Sequence, residues 1–145
     1  MSSPTQNQIL NQLLIELGWS MLHYVSKASP WTDETTAAAG ESLESLWQEQ
    51  SRQVEMLTEL LQARDWTIES GAYPTEYTDL QYLSLDFLLG PLALNAKSLL
   101  ARIEESLPAF HDDETGTALL EEVLASQRNI VNRLEKLASV GSNVS

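Results

Sequence analysis

Leu10, Leu14, Leu17, Met21, Tyr24 and Ala28 recur at intervals of 4-3-4-3-4. That spacing lays them along one stripe of a helix and predicts an amphipathic element over residues 5–28. Gln8, Gln12, Glu16, Ser20, His23 and Lys27 fall on another face, expected to be wet. Pro30 in "SPW" ends the element, because proline disfavours helical geometry in the residue before it. A second seam runs through Leu43, Trp47, Gln50, Val54, Leu57 and Leu61, predicting a helix over residues 33–63. Thr32 or Asp33 can cap it, and Asp33 and Glu34 suit the positive end of its dipole.

Residues 64–78 have no helical period and are punctuated by Gly71 and Pro74. Thr78 or Asp79 then opens a helix over residues 79–107, with Tyr82, Leu85, Leu89, Leu92, Ala96, Leu99 and Ile103 on its seam. Pro91 lacks an amide hydrogen and predicts an interruption or kink there. The last helix, residues 113–138, carries Leu120, Val123, Gln127, Ile130, Leu134 and Leu137, and "SVGSNVS" reads as a frayed end. No strand pattern competes, so the fold class is all-α: an antiparallel four-helix bundle in a single domain.

The seams match each other. Setting Gln50 on Gln127 superimposes Leu43 on Leu120, Leu46 on Val123, Val54 on Val131 and Leu57 on Leu134. The first and third helices pair more loosely, Gly18 on Gly90 and His23 on Asn95. The links flanking these hairpins are short, whereas residues 64–78 could extend on the order of 50 Å. A helix of this size is roughly 36 Å long. The middle link is therefore long enough to run the length of the bundle.

Two helical hairpins joined by a long crossover resemble the ferritin-like superfamily. The resemblance implies inward-facing ligands for a di-metal centre, including a Glu-x-x-His on each of two helices. The chain contains no Glu-x-x-His, and its histidines are His23 and His111. Gln50 and Gln127 stand where the superfamily would place a carboxylate, and Gln53 and Ile130 where it would place histidine. A neutral amide is a poor substitute for a bridging carboxylate, so no cofactor is expected. The two glutamines are expected to be core polar residues that bond each other, or neighbours such as Asp86 or Tyr24.

Weaker metal candidates are Glu16, His23 and Asp86. Glu16 and His23 share a stripe but stand roughly 10 Å apart along the axis. His111 beside Asp112 and Asp113 suggests a surface cation site or a capping turn. No Gly-x-Ser-x-Gly turn, P-loop or dinucleotide fingerprint occurs.

A net charge of −13 repels phosphate backbones and anionic lipid, so neither nucleic acid nor a membrane is an expected partner. The absence of cysteine fits a reducing, cytoplasmic setting, and the start of the chain has neither a basic leader nor a membrane-spanning run. Trp19, Trp31, Trp47 and Trp66 are many large aromatics for one slim bundle, which predicts a homodimer that buries at least one. The expected role is binding or self-association without catalysis. The alternatives are a metal-binding or oxidoreductase bundle using Glu16, His23 and Asp86, and a ligand pocket near Gln50 and Gln127.

Overall fold

The computed structural model describes residues 3–28, 37–74, 77 and 83–142. The architecture is all-helical, with four helical pillars packed together and the first pillar broken in two. Its elements are α1 (Pro4–Gly18), α2 (Met21–Ala28), α3 (Ala37–Ala63), α4 (Leu85–Ser106), a short 3-10 turn (Leu107–Phe110) and α5 (Glu114–Ser142). The expectations placed on Pro30, Trp31, Thr32, Asp33, Glu34, Thr78, Asp79 and Tyr82 lie outside the described residues.

The expected unbroken helix over residues 5–28 is the main correction. Trp19 leaves helical geometry at φ −112° and ψ 37°, and α2 restarts at Met21. Ser20, expected on the wet face, is buried, and its Oγ accepts from the His23 amide at 3.1 Å as a helix cap does. The third pillar starts at Leu85, after a non-helical Leu83 and Ser84, and runs unbroken through Gly90 and Pro91. Pro91 deprives the Phe87 carbonyl of its amide partner, but both residues face solvent, which satisfies the carbonyl. The last helix continues to Ser142, past the expected end at 138, and residues 143–145 lie outside the described chain.

The ends of α1 and α5 are capped by side chains. Ser3 and Gln6 form a reciprocal capping box at the start of α1. Gln6 Nε2 also donates to the Ala109 carbonyl at 3.0 Å and to Asp112 Oδ1 at 2.7 Å. Asp113 caps α5 through the Gly116 amide at 2.9 Å, and Arg64 reaches it from the end of α3 at 2.8 Å. The His111–Asp112–Asp113 run is thus a capping turn tied to α1 and α3, with His111 Nδ1 3.3 Å from the Pro108 carbonyl.

The link after α3 leaves through Asp65, whose φ of 55° turns the chain sharply. It then lies alongside α1. Arg64 bonds Asn7, and the Asn11 amide brackets the Glu69 backbone, accepting from its N–H at 2.8 Å and donating to its carbonyl at 3.0 Å. Gly71 lies so close to α1 that an added Cβ would overlap Ile15 Cγ2 and stand 2.9 Å from the Trp19 ring. Tyr73 meets Trp19 and Tyr24 edge-on, at centroid separations of 4.8 and 5.0 Å.

The core divides into two apolar clusters. In one, Met21, Leu22 and Val25 meet Leu43 and Leu46, Leu85, Leu88, Leu89 and Leu92, and Ile130 and Leu134. In the other, Leu10, Leu13 and Leu17 meet Leu57 and Leu61, Leu99 and Ile103, and Phe110, Leu120 and Val123.

Candidate functional site

Between the two clusters lies a layer of buried amides. Gln50 on α3 is 1% exposed, Gln53 1% and Gln127 on α5 0%. Gln50 Nε2 donates to Gln127 Oε1 at 3.2 Å, and Gln53 Nε2 donates to the same oxygen at 3.2 Å. Gln127 Nε2 donates to the Ala96 carbonyl of α4 at 3.0 Å. Ser20, at the break between α1 and α2, donates its hydroxyl to Gln50 Oε1 at 2.6 Å. Every pillar therefore contributes at least one member, and α3 contributes two. Each bond closes a group that would otherwise cost about 1–3 kcal/mol to leave unpaired. The structure brings Gln50 and Gln127 together; neither Asp86 nor Tyr24 takes part in the bonds of the layer.

The helix break belongs to the same layer. Helix ends free carbonyls and amides, and here neighbours take them up. His23 Nδ1 donates to the Gly18 carbonyl at 2.6 Å, and the Met21 amide donates to Asn95 Oδ1 of α4 at 3.3 Å. His23 also stacks on Trp47 at 3.9 Å with an interplanar angle of 5°. Burial holds its pKa below the usual 6.5 and the charge of Lys27 adds to this, against the opposing effect of the Gly18 bond. His23 is accordingly neutral at neutral pH.

The edge of the layer opens between α3 and α5. Ser126 accepts from Gln53 Nε2 at 2.9 Å and lies 3.4 Å from Glu49 Oε1. Asn129 donates to both Glu49 oxygens, at 3.1 and 3.0 Å. A cleft of about 210 Å³ lies here, lined by Glu49, Arg52, Gln53, Met56, Glu122 and Ser126. Gln53 Oε1 is buried and has no hydrogen-bond partner among the described residues.

The three weaker metal candidates do not converge. Glu16 pairs with Arg102 at 2.6 Å, His23 is held by Gly18 and Trp47, and Asp86 is exposed in the first turn of α4. Among the described residues, no three of His, Asp and Glu lie together as metal ligands would. The donor set of the layer itself is amide and hydroxyl, and its amide nitrogens are all committed to bonds. It does not fit a di-metal centre, which needs carboxylates to bridge and neutralise two cations.

Sequence reasoning identified Gln50 and Gln127 as polar interruptions of two seams. It noted Gln53 only as standing where the superfamily would place histidine, not as a bonding partner of Gln127, and it placed Ser20 on the wet face. Ser20 had a readable signal: Gly18 just before it and a following apolar run form a helix stop followed by a cap. No helix among the described residues is long and apolar enough to cross a membrane. No protein-family model, curated protein or solved structure matches this chain.

Proposed function

We propose that this protein is a ferritin-like four-helix bundle in which a closed amide layer occupies the place of the di-metal centre, and that it acts by binding or self-association. The observation that carries this reading is the bonding of Gln50, Gln127, Ser20 and the Ala96 carbonyl across all four pillars. The amide nitrogens of the layer are all taken up by bonds, and it offers no carboxylate or imidazole ligand for redox chemistry.

The order of residues in the two clusters supports the ferritin-like arrangement. Residue numbers rise from the Leu10 cluster to the Met21 cluster along the first pillar, and from Leu43 to Leu61 in the reverse direction along α3. Along α4 they run from Leu85 to Ile103, the same direction as α3; along α5 they turn back from Leu120 to Leu134. The link that passes Asn7, Asn11, Ile15 and Trp19 in turn would be the long crossover. The pairing of α3 with α5 found in the sequence also fits. It exchanges the clusters, carrying Leu43 onto Leu120 and Leu57 onto Leu134. The looser pairing of Gly18 with Gly90 does not, since the chain breaks after Gly18 and stays helical through Gly90.

The surface is the remaining place for function. Its charge of −13 favours apolar or cationic contacts over nucleic acid and anionic lipid, and the lack of cysteine suits the cytoplasm. The test is metal analysis of protein purified without chelator. The reading expects less than about one equivalent of iron, manganese or zinc per chain. Stoichiometric, tightly held metal would refute it.

A second reading draws on the unpartnered Gln53 Oε1 beside the α3–α5 cleft. A small ligand with an N–H or O–H donor would complete that acceptor. Gln50 and Gln127 lie sealed behind it, so they would support such a ligand without touching it. Fragment screening by NMR should then give shifts centred on Gln53 and Ser126 that Gln53→Met abolishes. Shifts that persist in the variant would exclude the cleft.

A further inference from the structure

The tryptophans expected in a dimer contact are half-buried against the chain's own residues where they are described. Trp19 packs on Tyr73, Trp47 on His23, and Trp66 on the Leu10 cluster, while Trp31 lies outside the described residues. Among the described residues, the large apolar side chains left in solvent are Phe87, 63% exposed, and Leu94, 69% exposed, both on α4. Gly90 and Pro91 lie between them and are also exposed. At about 100° and 1.5 Å per residue, these four fall within about 50° of one line and extend over roughly 10 Å. No charged residue occurs from Phe87 to Ala96, in a chain whose net charge is −13.

We infer that this α4 stripe is the contact between two copies of the chain, crossing antiparallel about a two-fold axis at Gly90 and Pro91. The inference rests on the self-association reading above and names its surface and partner. Phe87 and Leu94 are equidistant from the midpoint of Gly90 and Pro91, so the axis sets Phe87 of one copy against Leu94 of the second copy. Charge complementarity selects this occupant. Asp86 lies about 7 Å to one side of the midpoint and Lys97 about 10 Å to the other, both on the same flank of the stripe. A two-fold axis keeps the flank and reverses the direction. It therefore places Lys97 of the second copy about 3 Å along the axis from Asp86, within reach of a lysine side chain, and does so twice. Lys97 is exposed, with Glu135 at 3.5 Å, and can turn between the two carboxylates. At the centre, a Cβ built on Gly90 meets nothing within 4 Å, so the copies can approach closely there. A stripe of four residues spanning roughly 10 Å is short for a permanent interface, so the dimer should be reversible and depend on concentration.

Sedimentation velocity of the full chain over a concentration series tests this. Gly90→Arg adds a charge at the centre of the stripe without disturbing the fold, because Gly90 has open space and no positive φ. The wild type should shift from monomer to dimer with concentration, and Gly90→Arg and Leu94→Ala should stay monomeric where the wild type is mostly dimeric. Asp86→Lys should weaken the dimer roughly tenfold, by setting like charges together at two places. Adding Lys97→Asp to it should restore the dimer. Circular dichroism checks that each variant is folded. A wild-type dimer that Gly90→Arg and Leu94→Ala leave intact would overturn this contact and leave self-association standing. A wild type that stays monomeric throughout would overturn both. Failure of the double charge exchange to restore association would overturn the antiparallel register.

Discussion

Removing a single amide from the central layer strands its partners. Gln127→Leu would leave Gln50 Nε2 without its acceptor and remove one bond each from Gln53 Nε2, which keeps Ser126, and from the Ala96 carbonyl, while Gln50→Leu would remove the acceptor of the Ser20 hydroxyl proton and one donor to Gln127 Oε1. Each single change should cost on the order of 1–3 kcal/mol, offset in part by new apolar contact, with Gln127→Leu the larger loss. The two residues share a bond, so the double variant should lose less than the sum of the singles. Urea unfolding of the four proteins measures this, and simple additivity would mean the amides are not coupled. His23 gives a second prediction at this scale. Its folded pKa is lowered, so above about pH 6.5 it is neutral in both states and its contribution is fully present. As pH falls below 6.5, the unfolded state takes up the proton first and stability declines. Between about pH 7.5 and about pH 5.5, wild-type stability should therefore fall more steeply than that of His23→Phe. Equal slopes would contradict the assignment. Gln50 and Gln127 were legible because they interrupt apolar seams. Gln53 was legible only as the position of an absent histidine, because its bonds to Gln127 and Ser126 exist only once the partner helix is in place.

At the scale of elements, the closest fit is between the link and α1. Gly71→Ala should force the link off Ile15 and Trp19, because neither of those atoms is the free end of a flexible chain. We expect a loss of about 1–3 kcal/mol and a red shift in tryptophan emission as Trp19 becomes wetter. An unchanged melting curve would show that the link does not seal α1. Helix existence and type were readable from periodicity for all four pillars. The break at Ser20 was not read, because the apolar seam runs straight across it from Leu17 to Met21. Tertiary bonds from Gln50 and Asn95 hold the break, and these are invisible to local pattern. The helix continues through Pro91 for a related reason. A proline on the solvent side of a helix loses one hydrogen bond to water instead of to the core, so packing of Leu88, Leu89 and Leu92 on the other side keeps the helix intact.

The whole molecule has two apolar halves joined by a layer of hydrogen-bonded amides to which all four pillars contribute. The number of pillars, the long link and the core position of the two glutamines could be read from the sequence, whereas the path of the link could not. Its course depends on Asn11 meeting Glu69, 58 residues along the chain, and on Ile15 and Trp19 meeting Gly71, pairings that no local rule specifies. A bundle built around a metal is stabilised when the metal binds its folded form. The most direct measurement is thermal unfolding of chelator-treated protein, alone and with increasing ferrous, manganous or zinc ion. The account predicts a melting temperature that does not move as metal is added. A saturable rise with any one of them, lost in Gln127→Leu, would mean that the amide layer is a metal site after all.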